Sequence, residues 1–227
     1  VGGAWTFTLE QSAVQHLDAG DVVSDTITFT ATDGSTQVVS VNITGTDDTS
    51  VVSGTFSGAV TEGNVGDAPV TATGSIAVSD VDADDNPSFA DVAPTTGTSG
   101  FGTFELVSGA WTFTLDQSAV QDLDAGDVVS DTITFTATDG STQVVTVNIT
   151  GTNDASVVSG TFTGAVNEGN VGDAPVTATG LIAISDADAD DSPAFSDVAA
   201  TTGTNGFGTF ELVGGSWTFT LDQSAVQ

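Results

Sequence analysis

Residues 109–127 read Gly-Ala-Trp-Thr-Phe-Thr-Leu-Asp-Gln-Ser-Ala-Val-Gln-Asp-Leu-Asp-Ala-Gly-Asp. From Trp111 to Leu115 apolar residues alternate with Thr. That period of two is the mark of a half-buried strand, with Trp, Phe and Leu inward and Thr outward. Ser118–Leu123 could form about one helical turn, and it is the one helical candidate in the chain. Asp and Gly then close the stretch as a loop.

The same words stand elsewhere. Trp5, Trp111 and Trp217 are each 106 residues apart, and laying residues 1–106 on 107–212 gives 90 identities. Val213–Gln227 repeats Val1–Gln15 almost unchanged. A period of 106 is too long for a solenoid coil and is the size of one small domain. The turn-rich segments 45–49 and 151–155 read as linkers. The expected division is 1–48 as the C-terminal part of one repeat, 49–154 as a complete repeat and 155–227 as the N-terminal part of the next. Val1–Leu9 already reads as a strand, so a piece of a longer tandem chain is expected, with residue 228 aligning with His16 and Asp122.

Seven strands are expected in the complete repeat: 51–61, 70–78, 88–92, 101–107, 110–116, 127–137 and 142–150. Turn signals fall every 8–12 residues, the rhythm of a β-sandwich. The fold class is therefore all-β, a tandem series of β-sandwiches. The expected core holds Phe56, Val60, Val70, Ile76, Val78, Phe89, Phe104, Leu106, Trp111, Phe113, Leu115, Val120, Leu123, Ile133, Phe135, Val145, Val147 and Ile149.

The charge is as one-sided as the repeat is regular. The 227 residues include 31 acids (26 Asp and 5 Glu), one His and no Lys, Arg, Cys, Met or Tyr, for a formal net charge of −31. Nothing can neutralise phosphates, which excludes nucleic-acid and anionic-lipid binding. Disulfides are impossible. No apolar run reaches the roughly 18 residues of a membrane helix. Yet hydrophobic residues make up 38% of the chain, enough to build cores.

Strand parity gathers the acids. With strands alternating up and down, one end of each repeat carries a Glu, the loop before strand 127–137 and the outgoing linker. The other end of the next repeat carries the Asp run after strand 70–78 and the Asp of the last hairpin. At the first junction Asp18, Asp21, Asp47 and Asp48 would face Asp80, Asp82, Asp84, Asp85 and Asp139. At the second, Glu62, Asp124, Asp127, Asn153 and Asp154 would face Asp186, Asp188, Asp190 and Asp191. Glu168, the counterpart of Glu62, completes the candidate set. Each added acid costs on the order of a kcal/mol against a close neighbour. With no basic side chain available, a hard cation taking oxygen ligands is the remaining relief, and Ca2+ suits flexible loops. Zn2+ would want His or Cys. Asp80, Asp82 and Asp84 have the first spacings of an EF-hand loop, with Asp91 at the twelfth position. Asp85 in place of the sixth-position Gly, and Pro87, argue against that motif. Asp67, Asp91, Asp116 and Asp131 lie outside the convergent ends and read as ordinary turn or surface acids.

Residues 109–127, with Asp131-Thr-Ile-Thr-Phe-Thr-Ala-Thr-Asp-Gly140 and Val145-Thr-Val-Asn-Ile-Thr-Gly-Thr-Asn-Asp154, resemble the VCBS-type repeat of very large bacterial surface adhesins. The resemblance covers essentially the whole chain. It implies cadherin-like or immunoglobulin-like sandwiches, secretion by a type I (RTX) route, and an extracellular place on a bacterial surface, holding out a binding tip for adhesion or biofilm formation. The junction acids resemble the cadherin arrangement, in which two domains and their linker share calcium. Asp47-Asp48 stands where the other linker has Asn153-Asp154, and the segment after Asp139-Gly140 is short.

An enzyme is not expected. His16 is replaced by Asp122 in the other repeat, and no nucleophile–base set recurs. A carbohydrate-binding module would show exposed aromatics, whereas these fall on inward positions. The structural readings are a calcium-stiffened extender, whose partners are neighbouring repeats, and a filament in which copies of the chain associate. Each repeat would add around 40 Å of reach.

Overall fold

The computed structural model describes residues 3–227. The chain forms two compact units: Val1–Val60 with Pro69–Asp116 and Ser130–Asn148, and Thr61–Ala68 with Gln117–Val129 and Ile149–Gln227. These do not follow the 106-residue period. The end of the middle repeat that carries Glu62 and residues 117–129 groups with residues 155–227.

The first unit opens on an exposed hairpin, β1 (Val22–Thr30) and β2 (Thr36–Thr44), paired antiparallel from Val22↔Thr44 to Thr30↔Thr36. A five-stranded sheet follows in the order β3-β5-β8-β7-β6. Its members are β3 (Val51–Gly54), β5 (Thr71–Ser79), β6 (Val92–Thr96), β7 (Gly102–Val107) and β8 (Ala110–Leu115). A three-stranded sheet runs β4-β10-β9, from β4 (Ser57–Thr61), β9 (Val128–Thr136) and β10 (Thr142–Thr150). The two sheets face each other. A Cβ added at Gly58 on β4 would lie 3.0 Å from the Trp111 ring on β8 and 3.5 Å from Val147 on β10. Trp111, Phe104, Phe113, Phe135, Leu106, Val145 and Val147 are fully buried in this unit. Phe104 and Phe113 pack as a tilted pair, ring centroids 4.7 Å apart.

The second unit holds a five-stranded sheet in the order β11-β12-β15-β14-β13, from β11 (Val157–Gly160), β12 (Thr177–Ser185), β13 (Val198–Thr202), β14 (Gly208–Val213) and β15 (Ser216–Leu221). It repeats the β3-β5-β8-β7-β6 order. The helical candidate at Ser118–Leu123 is a 3-10 turn at Gln117–Ala119, repeated at Gln11–Ala13 and Gln223–Ala225.

Three strand expectations change. The strand expected over 51–61 is two strands, β3 and β4, which lie in different sheets. Gly54 has φ +134 and its backbone nearly touches the Ser75 carbonyl, an approach that a side chain would block. Thr55 then donates its N–H to Ser75 at 2.7 Å and accepts the Trp111 indole N–H at 2.7 Å, which fixes the crossover. The strand expected over 88–92 begins at Val92. Phe89 makes one bridge to Ala137 before the chain crosses to pair with β7. Pro94 cannot donate to a ladder and sits on this edge strand, beside a register shift. Residues 3–9 carry no ladder, because the strands that flank their counterpart β8 have no equivalent around them; Val1 and Gly2 lie outside the described residues. Among the expected core residues, Phe56, Val70, Val78, Phe89, Leu123 and Ile133 are half-buried.

Asp131, read from sequence as an ordinary acid, is fully buried. Its carboxylate accepts the backbone N–H groups of Ser99 (2.8 Å), Phe101 (2.9 Å) and Thr132 (2.8 Å). It thereby ties the β6–β7 turn to β9. Its counterpart Asp25 is exposed and accepts only from Thr26. Replacing Asp131 with Ala leaves buried donors unmet and should lower stability by about 3 kcal/mol. Asp25→Ala should stay within about 0.5 kcal/mol. Urea unfolding of the two variants checks this, and equal effects would refute it.

Candidate metal centres

Two acidic centres form, one in each unit, on the same backbone framework. Linker glycines set the loops. A Cβ on Gly45 would meet the Asp18 carbonyl at 2.4 Å, and one on Gly151 the Asp124 carbonyl at 2.5 Å. Only glycine lets the 17–21 and 123–127 loops close on the linkers. Gly45 N–H then bonds to Asp21 O, and Gly151 N–H to Asp127 O, each at 2.8 Å. The loop after β5 is stitched on by backbone. Ala83 N–H donates to His16 O, and Ala189 N–H to Asp122 O, both at 3.1 Å. The backbone carbonyl makes this bond, which either His16 or Asp122 supplies.

In the first centre Asp18, Asp82 and Asp85 bring one carboxylate oxygen each within 4.8 Å of the others. Asp82 is 3% exposed; its Oδ2 accepts Asp48 N–H at 2.8 Å, and its Oδ1 has no partner. Asp84 instead offers its N–H to Asp18 at 3.3 Å, and its carboxylate is outside the cluster. The EF-hand spacing is therefore not used. Asp91 accepts Ser108 N–H at 2.6 Å, a turn clamp away from the cluster. Asp80 accepts from Asp82 N–H at 3.0 Å and from the Ser50 hydroxyl at 2.9 Å. Ser50 also bonds Asp139, so the last hairpin does reach this end. Asp47 acts on Asp85 by charge alone. Asp21 contributes backbone bonds.

In the second centre Asp186, Asp188 and Asp191 form the triad; Asp188 and Asp191 are the counterparts of Asp82 and Asp85, but Asp186, the counterpart of Asp80, stands where the period would put Asp124. Asp188 is 3% exposed; it accepts Asp154 N–H at 3.0 Å through Oδ2, while Oδ1 has no partner. Glu62 is also buried; Oε1 accepts Thr152 N–H at 2.7 Å and Oε2 has no partner. Asp154 Oδ2 is likewise buried and unmet. Asp190 N–H points to Asp124 at 3.4 Å. Asp127 lies near enough to Asp124 to repel it. Asn153 turns its amide to the Asp154 carbonyl at 2.5 Å. Glu168 is exposed and sits in neither cluster. Ser50 and Ser156 were not foreseen; a Ser ahead of strands β3 and β11 carries no signal of its own, and only the fold brings it to the Asp run.

Two electrostatic populations result. Burial pushes the Glu62 carboxyl up, against its bond from Thr152, and the charges of Asp154, Asp188 and Asp122 add to the push. Burial, then Asp188 and Asp186, raise Asp154. Desolvation and neighbouring acids raise Asp85 and Asp124. Hydrogen bonds lower the others: the Asp82 N–H and Ser50 hydroxyl for Asp80, Ser50 and Ser141 for Asp139, and Ser156 for Asp186.

Buried carboxylate oxygens without donors carry a desolvation cost that pairing or a metal must offset. The donors are all oxygen and the charge is high, which fits a hard divalent cation, with Ca2+ accommodating the irregular loops best. The residues able to hold it are Asp18, Asp82 and Asp85 in one centre. In the other they are Asp186, Asp188 and Asp191, with Asp154 and Glu62 beside them.

No family model and no curated protein matches the chain. Among solved structures it is similar to PcdhgB3 EC1-4, at 12% identity and a TM-score of 0.38 over 89% of this chain. It is also similar to the protocadherin GammaB4 extracellular domain, at 13% identity and a TM-score of 0.30 over 88%. A third is a Ca2+-stabilized adhesin that helps an Antarctic bacterium reach out and bind ice, at 13% identity and a TM-score of 0.21 over 90%. The chain spans 57%, 36% and 49% of those three chains.

The raised and lowered acids predict a pH profile for the chelated protein. A raised carboxyl destabilises the fold when ionised, so stability should rise as pH falls from neutrality toward the ordinary carboxyl values of 4.5 for Glu62 and 3.8 for Asp85, Asp124 and Asp154. A lowered carboxyl stabilises above its unfolded value of 3.8, so stability should fall again below that. With Ca2+ present the first trend should reverse, because protons compete with the ion. Melting midpoints across this range provide the check; a chelated midpoint that drops steadily from about pH 7 would refute it.

Proposed function

We propose that the chain is a non-enzymatic extender segment of a large secreted bacterial surface adhesin, in which Ca2+ stiffens the joints between sandwich repeats. The repeats are 1–48, 49–154 and 155–227. The observation that carries the reading is the set of buried, donor-less oxygens on Asp82, Glu62, Asp154 and Asp188 in a chain with no Lys or Arg. The first centre joins Asp18 of the loop before the linker to Asp82 and Asp85 of the Asp run, with the linker bonded on through Asp48 N–H; the second gathers Asp186, Asp188 and Asp191 of the Asp run, with the linker acid Asp154 bonded on through its N–H. A cation held there would fix the Asp run to which the linker is bonded and so reduce the freedom of the linker. Without it the linker is short, charged and mutually repelling. The repeat period supports the extender role, since each copy adds the same length and the same joint. The high surface charge keeps such a chain soluble at a cell exterior. The VCBS resemblance supports the RTX-secreted, biofilm-forming setting.

The test is a thermal melt with small-angle scattering on the 227-residue chain, in Ca2+ and in chelator. The expected result is a higher midpoint and a longer maximum dimension with Ca2+. Asp188→Asn and Asp82→Asn should each weaken Ca2+ binding on the order of tenfold or more, read by calorimetry. Glu168→Gln should leave it unchanged. No response to Ca2+ in either measurement would overturn the proposal.

A further inference from the structure

Glu62 brings the longest side chain to the second centre, with more rotamer freedom to lose than any Asp beside it. The fold restrains it first at the backbone. Glu62, the 117–121 turn and the 151–155 linker all belong to the second unit. Glu62 follows β4, and its N–H donates to Thr150 O at 3.0 Å, at the end of β10. The next peptide is gripped by two glutamines four positions apart. Gly63 N–H donates to Gln117 Oε1 at 3.0 Å, and Gly63 O accepts from Gln121 Nε2 at 2.7 Å. Gln121 Oε1 also accepts Val65 N–H at 3.3 Å. Gln117 is 8% exposed, so its bond to Gly63 is an interior one. A Cβ on Gly63 would press on the Asp67 carboxylate at 3.0 Å, which keeps the gripped position free of a side chain.

The rest of the loop turns on itself. Asn64 N–H donates to Asp67 Oδ2 at 3.0 Å, Asp67 N–H donates to Asn64 O at 3.1 Å, and Val65 at the tip is exposed. The same grip recurs one period on. Gly169 N–H donates to Gln223 Oε1 at 2.7 Å, and Gly169 O accepts from Gln227 Nε2 at 2.8 Å. In both copies the gripped glycine directly follows a Glu, Glu62 or Glu168. Beyond the grip, the Glu62 carboxylate is aimed at the linker. Oε1 accepts Thr152 N–H at 2.7 Å, and the buried Oε2 has no partner. Two residues along, Asp154 N–H donates to Asp188 Oδ2 at 3.0 Å. The linker thus carries Glu62 and Asp188 on N–H groups two residues apart.

We infer that Gln117 and Gln121 are positioning residues for Glu62, and that their grip on Gly63 sets how tightly the second centre holds its cation. The inference rests on the cation reading proposed above and adds residues that carry no charge and do not touch the ion. The glutamines hold the backbone from which Glu62 reaches, so that its free Oε2 lies at the centre before a cation arrives. The ordering of that side chain is then met on folding and not on binding. Without the grip, residues 62–66 lose their bonds to the 117–121 turn, and the cation has to order them. The ligand set stays the same and the affinity falls, as it does when the groups that orient a metal ligand are removed.

The test is calorimetric titration of the 227-residue chain with Ca2+, for the unaltered chain, Gln121→Ala, Glu62→Gln and the double variant. Gln121→Ala should weaken one class of sites on the order of tenfold and leave the other unchanged. In the Glu62→Gln background the same substitution should cost nothing further, because the grip acts through Glu62. A purely structural role of Gln121 would weaken binding equally in both backgrounds. Gln143→Ala, at a glutamine whose amide bonds the neighbouring Val144 carbonyl at 2.7 Å, should leave the titration as it was. A cooperative melt in chelator checks that each variant folds. Gln117→Ala, which removes a single bond to Gly63, replaces Gln121→Ala if that variant does not. An unaltered chain that binds no Ca2+ overturns the cation reading and this inference with it. Binding by the unaltered chain that the glutamine substitutions leave intact, or that they weaken equally with and without Glu62, overturns this inference alone.

Discussion

A chain with 31 carboxylates and no Lys or Arg must meet its negative charge without ion pairs between side chains of opposite sign. Three other partners remain: backbone N–H groups, hydroxyls and a bound cation. Asp131 takes the first course, accepting three N–H groups in a fully buried position. Asp80, Asp139 and Asp186 take the second, sharing Ser50 and Ser156. Asp82, Asp154, Asp188 and Glu62 each keep an oxygen that neither course reaches. The repeat-end loops are arranged around that remainder. Linker glycines allow the close approach, and backbone bonds to His16 O and Asp122 O hold it.

The same constraint separates the two sides of each end. Asp80, Asp139 and Asp186, held by Ser, are stabilised as anions, and Glu62, Asp85, Asp124 and Asp154 are destabilised as anions.

Identical strands with opposite burial show how little of a core is intrinsic to its strands. The segment Val-Val-Ser-Asp-Thr-Ile-Thr-Phe-Thr occurs as β1 and as β9. Phe135 is buried and Phe29 is not. The alternation of apolar and polar residues says which face would be inside, and the presence of an opposing sheet says whether it is.

Alternation and the 106-residue period were enough to read the all-β class, the places of most strands and the deeply buried set around Trp111, Phe113, Phe104 and Val147. Strand parity also placed the 17–21 loop and the Asp run after β5 at one end, where Asp18 lies with Asp82 and Asp85. Local pattern could not say that 51–61 divides between two sheets, because the division depends on Gly54 meeting the Ser75 backbone, a neighbour 21 positions away in sequence. Nor could spacing choose Asp85 over Asp84 for the cluster, or separate Asp131 from surface acids. Those choices rest on which backbone N–H groups lie opposite each carboxylate, and only the packed loops decide that.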